Sequence, residues 1–263
     1  MIGIKLALLA AVLAAGAVGG AIPLSRGKGA AGGRLLGWGN ALAAGIFLGA
    51  GFIHMLPDAS EAWEALGWHY PIAFLLAAGG FVLMLLIEHV LMPETAHEMM
   101  HAPAGDPFPH RPEQGGLAAY AALTALSIHS FLAGLTLGAE PELAGALVIF
   151  VAILAHKTTA GFALGVSLVR NPLARRHAWQ LLAIFAFATP LGILVGLGLG
   201  GILEGPTQRT FEATSLALAA GTFAYVATLD ILRNELLEPG SRWSRWVCVA
   251  SGTGLMGLLA VWV

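Results

Sequence analysis

Eight stretches of about twenty or more residues, each nearly free of charge, run the length of this chain. They cover 3–24, 36–59, 71–92, 116–138, 142–169, 177–203, 210–236 and 243–262, separated by Pro, Gly and charged residues in SRGKGAAGGR, EAWEALGWHYP, 93–115, AEPE, RNPLARRH, EGPTQR and EPGSR. A helix needs ~20 mainly apolar residues to cross a bilayer. In lipid the backbone polar groups have only one another to bond, which the helix provides within a single segment. The expected fold is therefore all-α, a polytopic membrane protein of eight transmembrane helices forming one domain over 1–263. Soluble domains are about a quarter charged, whereas this chain is 11% charged and 57% hydrophobic. A net charge of −2 gives no surface for a polyanion, so nucleic acid is not expected as a partner. Cys248 is alone, which excludes an intrachain disulfide and a thiolate cluster.

The charges also orient the helices. Ten of the thirteen basic residues fall in the connections between segments 1 and 2, 3 and 4, 5 and 6, and 7 and 8, among them Arg26, Lys28, Arg34, Arg111, Arg170, Arg175, Arg176, Arg233, Arg242 and Arg245. The other side holds Lys5 and Arg209, and Lys157 lies within a helix. Basic loops stay cytoplasmic, so both termini are expected outside and 93–115 in the cytosol. The first segment has the Lys5-led apolar form of a signal peptide. Its reach to Leu24 and the basic cluster directly after it read as a retained span. The 93–115 stretch carries His97, Glu98, Met99, Met100, His101, Asp106 and His110 at no folded zinc-site spacing, and reads as a linker.

Two internal repeats narrow the architecture. Residues 129–138, HSFLAGLTLG, and 156–165, HKTTAGFALG, both fit H-x-x-x-A-G-x-x-L-G, which sets His129 over His156. GIFLGAGFIHML from Gly45 and GTFAYVATLDIL from Gly221 pair Gly45 with Gly221, Phe47 with Phe223 and His54 with Asp230. The second pair lies on helices five spans apart, which run in opposite senses. A 3+2+3 arrangement follows, with helices 1–3 and 6–8 as an inverted repeat about helices 4 and 5; such repeats characterise transporters with a midplane site.

His129 and His156 both lie near the middle of their helices, where an ionisable side chain is costly and usually functional. Neutral imidazole is a ligand for zinc and similar borderline ions, so the two are expected to face one metal. The plain alternative is a pair bonded to each other or to backbone. Lys157, beside His156, would repel a second cation. His54 and Asp58 share a helix face at i, i+4, and Asp58, Glu61 and Glu64 form an acidic rim that would concentrate cations. Glu88 with His89, and Asp230 with Asn234 and Glu235, stand at the cytosolic ends of helices 3 and 7, where interfacial anchoring is an equal reading.

These residues resemble the ZIP (Zrt/Irt-like) family of metal transporters over nearly the whole chain. GIFLGAGFIHMLPDA resembles its second helix, Glu88-His89 the end of its third, SIHS followed by G-x-x-LG its fourth, HK followed by FALG its fifth, ATPLGILVG its sixth and GTFAYVATLDILRNEL its seventh. The resemblance implies eight spans, outside termini, a variable cytosolic loop and a bundle of helices 1, 4, 5 and 6 moving against helices 2, 3, 7 and 8. It also implies a divalent cation, zinc foremost, as transported substrate rather than cofactor. His129 and His156 become the primary ligands, with Ser130 and water weaker ones, and His54, Asp58, Glu88, Lys157 and Asp230 line the pathway. Ala133 and Ala160 stand where the family carries metal-binding carboxylates, and Lys157 where a second ion finds an acid.

The expected function is divalent-metal uptake across a plasma (bacterial inner) membrane, with the cation and the bilayer as partners and a homodimer among the open assemblies. An intramembrane zinc hydrolase would need a third strong ligand beside the two histidines, which the sequence does not supply there. A metal sensor without transport would bind but carry no flux.

Overall fold

The computed structural model describes residues 2–26, 33–91, 117–171, 173–200, 205–237 and 242–261. The 93–115 segment lies outside these residues. Eight helices make up the described chain. They are α1 (Ile2–Arg26), α2 (Arg34–Ala65), α3 (Ile72–Leu85, extended by Leu86–Leu91), α4 (Leu117–Ala139), α5 (Leu143–Arg170), α6 (Arg175–Gly200), α7 (Pro206–Tyr225, extended through Val226–Leu232 and Arg233–Leu237) and α8 (Arg242–Leu259). Seven are long and apolar enough to cross a membrane; α8, eighteen residues beginning RWSRW, is not among those seven. The protein is an all-α polytopic membrane protein.

Two boundaries differ from the sequence reading. α2 runs to Ala65 rather than 59, because Ala59 and Trp63, four residues apart, bury one face while Glu61 and Glu64 stay outside. α7 begins at Pro206 rather than 210, with proline in the first helical turn, where its missing N–H has no partner to lose.

Glycine decides which helices pair. A β-carbon at Gly161 would lie 2.2 Å from the Gly16 carbonyl, so α5 packs backbone to backbone on α1. Gly134 approaches the Thr189 carbonyl in the same way, seating α4 on α6. Gly45 seats α2 on Val249 of α8, and Gly221 seats α7 on Ala77 of α3. Small residues give membrane helices dispersion contact that the hydrophobic effect does not provide between them. The seams divide the molecule into one body of α1, α4, α5 and α6 and another of α2, α3, α7 and α8. Exchanging helix 1 with 6, 2 with 7, 3 with 8 and 4 with 5 maps each seam onto another, as the inverted repeat requires.

The same exchange relates two distortions. α2 widens to a π-helix over Ala50–Met55, five residues after Gly45, and α7 widens over Val226–Leu232, five residues after Gly221. His54 and Asp230, the matched polar residues, sit in these widened turns. Phe47 and Phe223, the matched aromatics, stack on each other with ring centroids 4.7 Å apart. The end of the bundle where α1 starts is called here the terminal face, and the other end the far face. Lys5 of α1 donates to the carbonyls of Gly138 and Glu140, which places the end of α4 on the terminal face.

Candidate metal site

His129 and His156 stand five residues before the seam glycines Gly134 and Gly161. At 3.6 residues per turn, five residues rotate about 140° around a helix. With the glycines turned into α6 and α1, both histidines are turned away from the seams, toward the other body. Their rings lie 5.6 Å apart between centroids and inclined by 70°, close enough for one ion to reach both. Both are buried, at 1% and 3% exposure.

The hydrogen bonds of His129 fix its tautomer. Its Nδ1 lies 3.2 Å from the Ala219 carbonyl and 3.3 Å from the Thr222 hydroxyl oxygen. The Thr222 hydroxyl itself donates to Ala219 at 2.8 Å. Nδ1 therefore donates to the Ala219 carbonyl, and Nε2 keeps the lone pair. That Nε2 is buried with no hydrogen-bond partner, as is Nδ1 of His156. Histidines that bind metals commonly donate their other ring N–H to a backbone carbonyl or carboxylate, which orients the free nitrogen. Phe223 braces the pair, stacked 3.3 Å from the His129 ring and edge-on to His156 at 4.9 Å.

Ser130 and Lys157 meet behind the histidines. The Lys157 ammonium donates to the Ser130 hydroxyl at 2.9 Å and stands 3.8 Å above the Phe185 ring. Among the described residues, no three His, Cys, Asp or Glu side chains gather closely enough to hold one ion.

His156 also lines a cavity of about 270 Å³ that extends to the terminal face. His54, Asp58, Ala133, Glu140 and Glu212 line it as well, and its floor includes Ala219, whose carbonyl orients His129. The i, i+4 pair forms as expected, His54 Nδ1 lying 3.0 Å from Asp58 Oδ2. Glu88 and Asp230 are not part of this group. Glu88, in the π turn of α3, accepts from the Tyr225 hydroxyl at 2.6 Å, and that hydroxyl is 3.2 Å from His89 Nδ1. Asp230 has a buried Oδ2 without a hydrogen-bond partner.

Sequence reasoning missed Thr222, Phe223 and Tyr225 as site residues. Phe223 had left a signal, since it pairs with Phe47 in the repeat; the role of the Ala219 carbonyl has no side-chain signature at all.

The sequence profile described as ZIP Zinc transporter matches residues 2–114 and 109–260. The zinc transporter ZIP2 of Homo sapiens is 31% identical, covering 87% of this chain and 85% of that protein. ZIP2 of Mus musculus is 30% identical over 84% of this chain and 83% of its own length. Zinc transporter 3 of Arabidopsis thaliana is 25% identical over 84% of this chain and 73% of its own.

Proposed function

The chain belongs to the ZIP family of zinc transporters, and we propose that it carries zinc into the cytoplasm through a single-ion site made by His129 and His156. It is a transporter of divalent metal ions and not an enzyme. The observation that carries the site is the pair of buried ring nitrogens without hydrogen-bond partners, His129 Nε2, whose ring the Ala219 carbonyl orients, and His156 Nδ1, with His156 lining the cavity.

The terminal face is the outer one on the charge distribution, since the basic loops lie at the far face. Zinc then enters where Asp58, Glu140 and Glu212 line the cavity and raise the local cation concentration. His54 and Asp58 lie on its way to His156. The ion exchanges water for the two imidazoles, which must be neutral to bind it. Ala133 and Ala160 leave the site without carboxylates, and the Lys157 ammonium excludes a second ion. The glycine seams favour movement of α1, α4, α5 and α6 as one body against α2, α3, α7 and α8, after which the ion leaves past Glu88 and Asp230 on the far face.

Uptake of radioactive zinc into proteoliposomes tests this reading. Saturable uptake is expected from the unmodified chain, with loss of most of it in His129→Ala and in His156→Ala while both variants stay folded. Uptake preserved in both would reject the site; zinc binding without flux in the unmodified chain would make it a sensor.

A further inference from the structure

The most buried carboxylate of the described residues plays no part in the site. Glu235, near the end of α7 on the far face, is 0% exposed. Three residues of its own body, from α2 and α8, prepare a place for it. Asn40 of α2 donates to Oε1 at 2.8 Å. Arg245 of α8 brings Nε to 3.8 Å from Oε2. Gly37 of α2 leaves room for the carboxylate, since a β-carbon there would stand 3.1 Å from Oε2. The fourth contact comes from the other body: Arg170, the last residue of α5, donates through Nη1 to Oε1 at 2.6 Å. α5 also carries His156 and Lys157. A helix of the metal-binding body is thus tied to the opposing body by a charged hydrogen bond at the far face, while the cavity reaches the site from the terminal face.

We propose that the Arg170–Glu235 pair is a latch that holds the far face closed while the cavity on the terminal face is in use, and that it must part each time the site turns to the far side. Glu235 is held in its own body by Asn40 and Arg245 whether or not Arg170 is present, so the latch re-forms on a prepared acceptor instead of a free side chain. Glu235 is fully buried and Arg170 partly so, and removing one partner of such a charge pair destabilises the state in which it is paired. Loss of the latch therefore shifts the population away from the conformation described here. The direction assigned to that shift rests on the transport reading above.

The test reads conformation directly and needs no metal. In a Cys248→Ser background, Ile149→Cys places one thiol in the cavity wall. Its rate of reaction with a small membrane-impermeant methanethiosulfonate, applied from the terminal face, reports how often the cavity is open. Arg170→Gln and Glu235→Gln are each expected to slow the reaction at least about threefold, and the double variant no further. Arg245→Gln leaves the Arg170–Glu235 hydrogen bond in place and should leave the rate unchanged. If Glu235→Gln does not fold, Arg170→Gln against Arg245→Gln still decides. Unchanged rates in the latch variants, or equal slowing by Arg245→Gln, would overturn the latch and make Glu235 ordinary packing. A chain that moves no zinc yet shows the expected labelling would cost the flux reading and leave the latch standing.

Discussion

Lys157 offers the sharpest quantitative test, because its charge acts on the site without touching the ion. The ammonium binds Ser130, the neighbour of His129, and extends from the neighbour of His156. We take its separation from an ion between the rings as about 8 Å, the length of two Cα–Cα steps. A doubly charged ion opposed by one positive charge at that distance loses about 4 kcal/mol at an effective dielectric of about 20, and about 2 kcal/mol if water in the cavity doubles that value. Removing the charge should therefore tighten zinc binding roughly thirty- to a thousandfold. Lys157→Met keeps an unbranched chain of similar length but leaves the Ser130 hydroxyl without its buried partner, at a stability cost of about 1–3 kcal/mol. The variant to make is Lys157→Met with Ser130→Ala, compared with Ser130→Ala alone. Calorimetry under a competing chelator gives Kd for each. The double variant should bind far more tightly than the unmodified chain, whereas Ser130→Ala should not gain. A Kd within twofold across the series would refute a positive charge acting on the site. Loss of affinity in Ser130→Ala alone would instead identify Ser130 as a ligand.

Further outcomes follow from the same geometry. Ala133→Glu with Ala160→Glu should tighten zinc binding and slow its release, since oxygen ligands add the negative charge that the site lacks; stopped-flow release and calorimetry measure both, and an unchanged Kd would mean these positions do not reach the ion. Adding Lys157→Asp to that pair should raise the metal content of purified protein from one ion to two per chain; two zinc ions at this site in the unmodified chain would defeat the single-ion reading. On α6, Gly196→Ala should destabilise by about 1–3 kcal/mol, since its β-carbon would lie 2.3 Å from the Leu135 carbonyl of α4. Gly198→Ala meets nothing within 4 Å and should raise stability slightly, by about 0.4–1 kcal/mol. Thermal unfolding in detergent separates the two, and equal melting temperatures would refute the account of the seams.

Much of this was legible because the sequence repeats itself. The match of His129 with His156 predicted neighbours, and the match of Gly134 with Gly161 proved to be the match of two seams. What stayed hidden was backbone and bracing. The free Nε2 of His129 depends on a carbonyl of Ala219, which any residue at 219 would supply. The helix break read at EAWEALGWHYP ignored Ala59 and Trp63, whose spacing keeps α2 helical for another turn and a half. The π turn of α2 has a local cause, for Pro57 cannot donate to the Ile53 carbonyl and a widened turn upstream accommodates the gap. The π turn of α7 has no proline within it, and only its correspondence with α2 foretells it.

That correspondence joins the fold to the function. A two-fold exchange of the repeats carries His54 onto Asp230, yet the surroundings of the two differ. His54 borders the cavity beside His156 with Asp58 on its ring, while Asp230 lies toward the far face near Tyr225 and Glu88, outside that cavity. One scaffold position has thus become an imidazole toward the terminal face and a carboxylate toward the far face, which on the proposed reading are the sides of entry and exit. An imidazole engaged by a carboxylate through Nδ1 keeps its other nitrogen oriented as a ligand, so His54 can take an ion from the cavity and hand it on to the two histidines. A carboxylate with an unpartnered oxygen can receive the ion from those histidines once the Arg170–Glu235 pair opens. On the proposed uptake reading, this asymmetry of chemistry on a symmetric frame gives the ion different ligands at the two faces, while its gradient sets the net direction; the asymmetry rests on which residue occupies each of two matched turns.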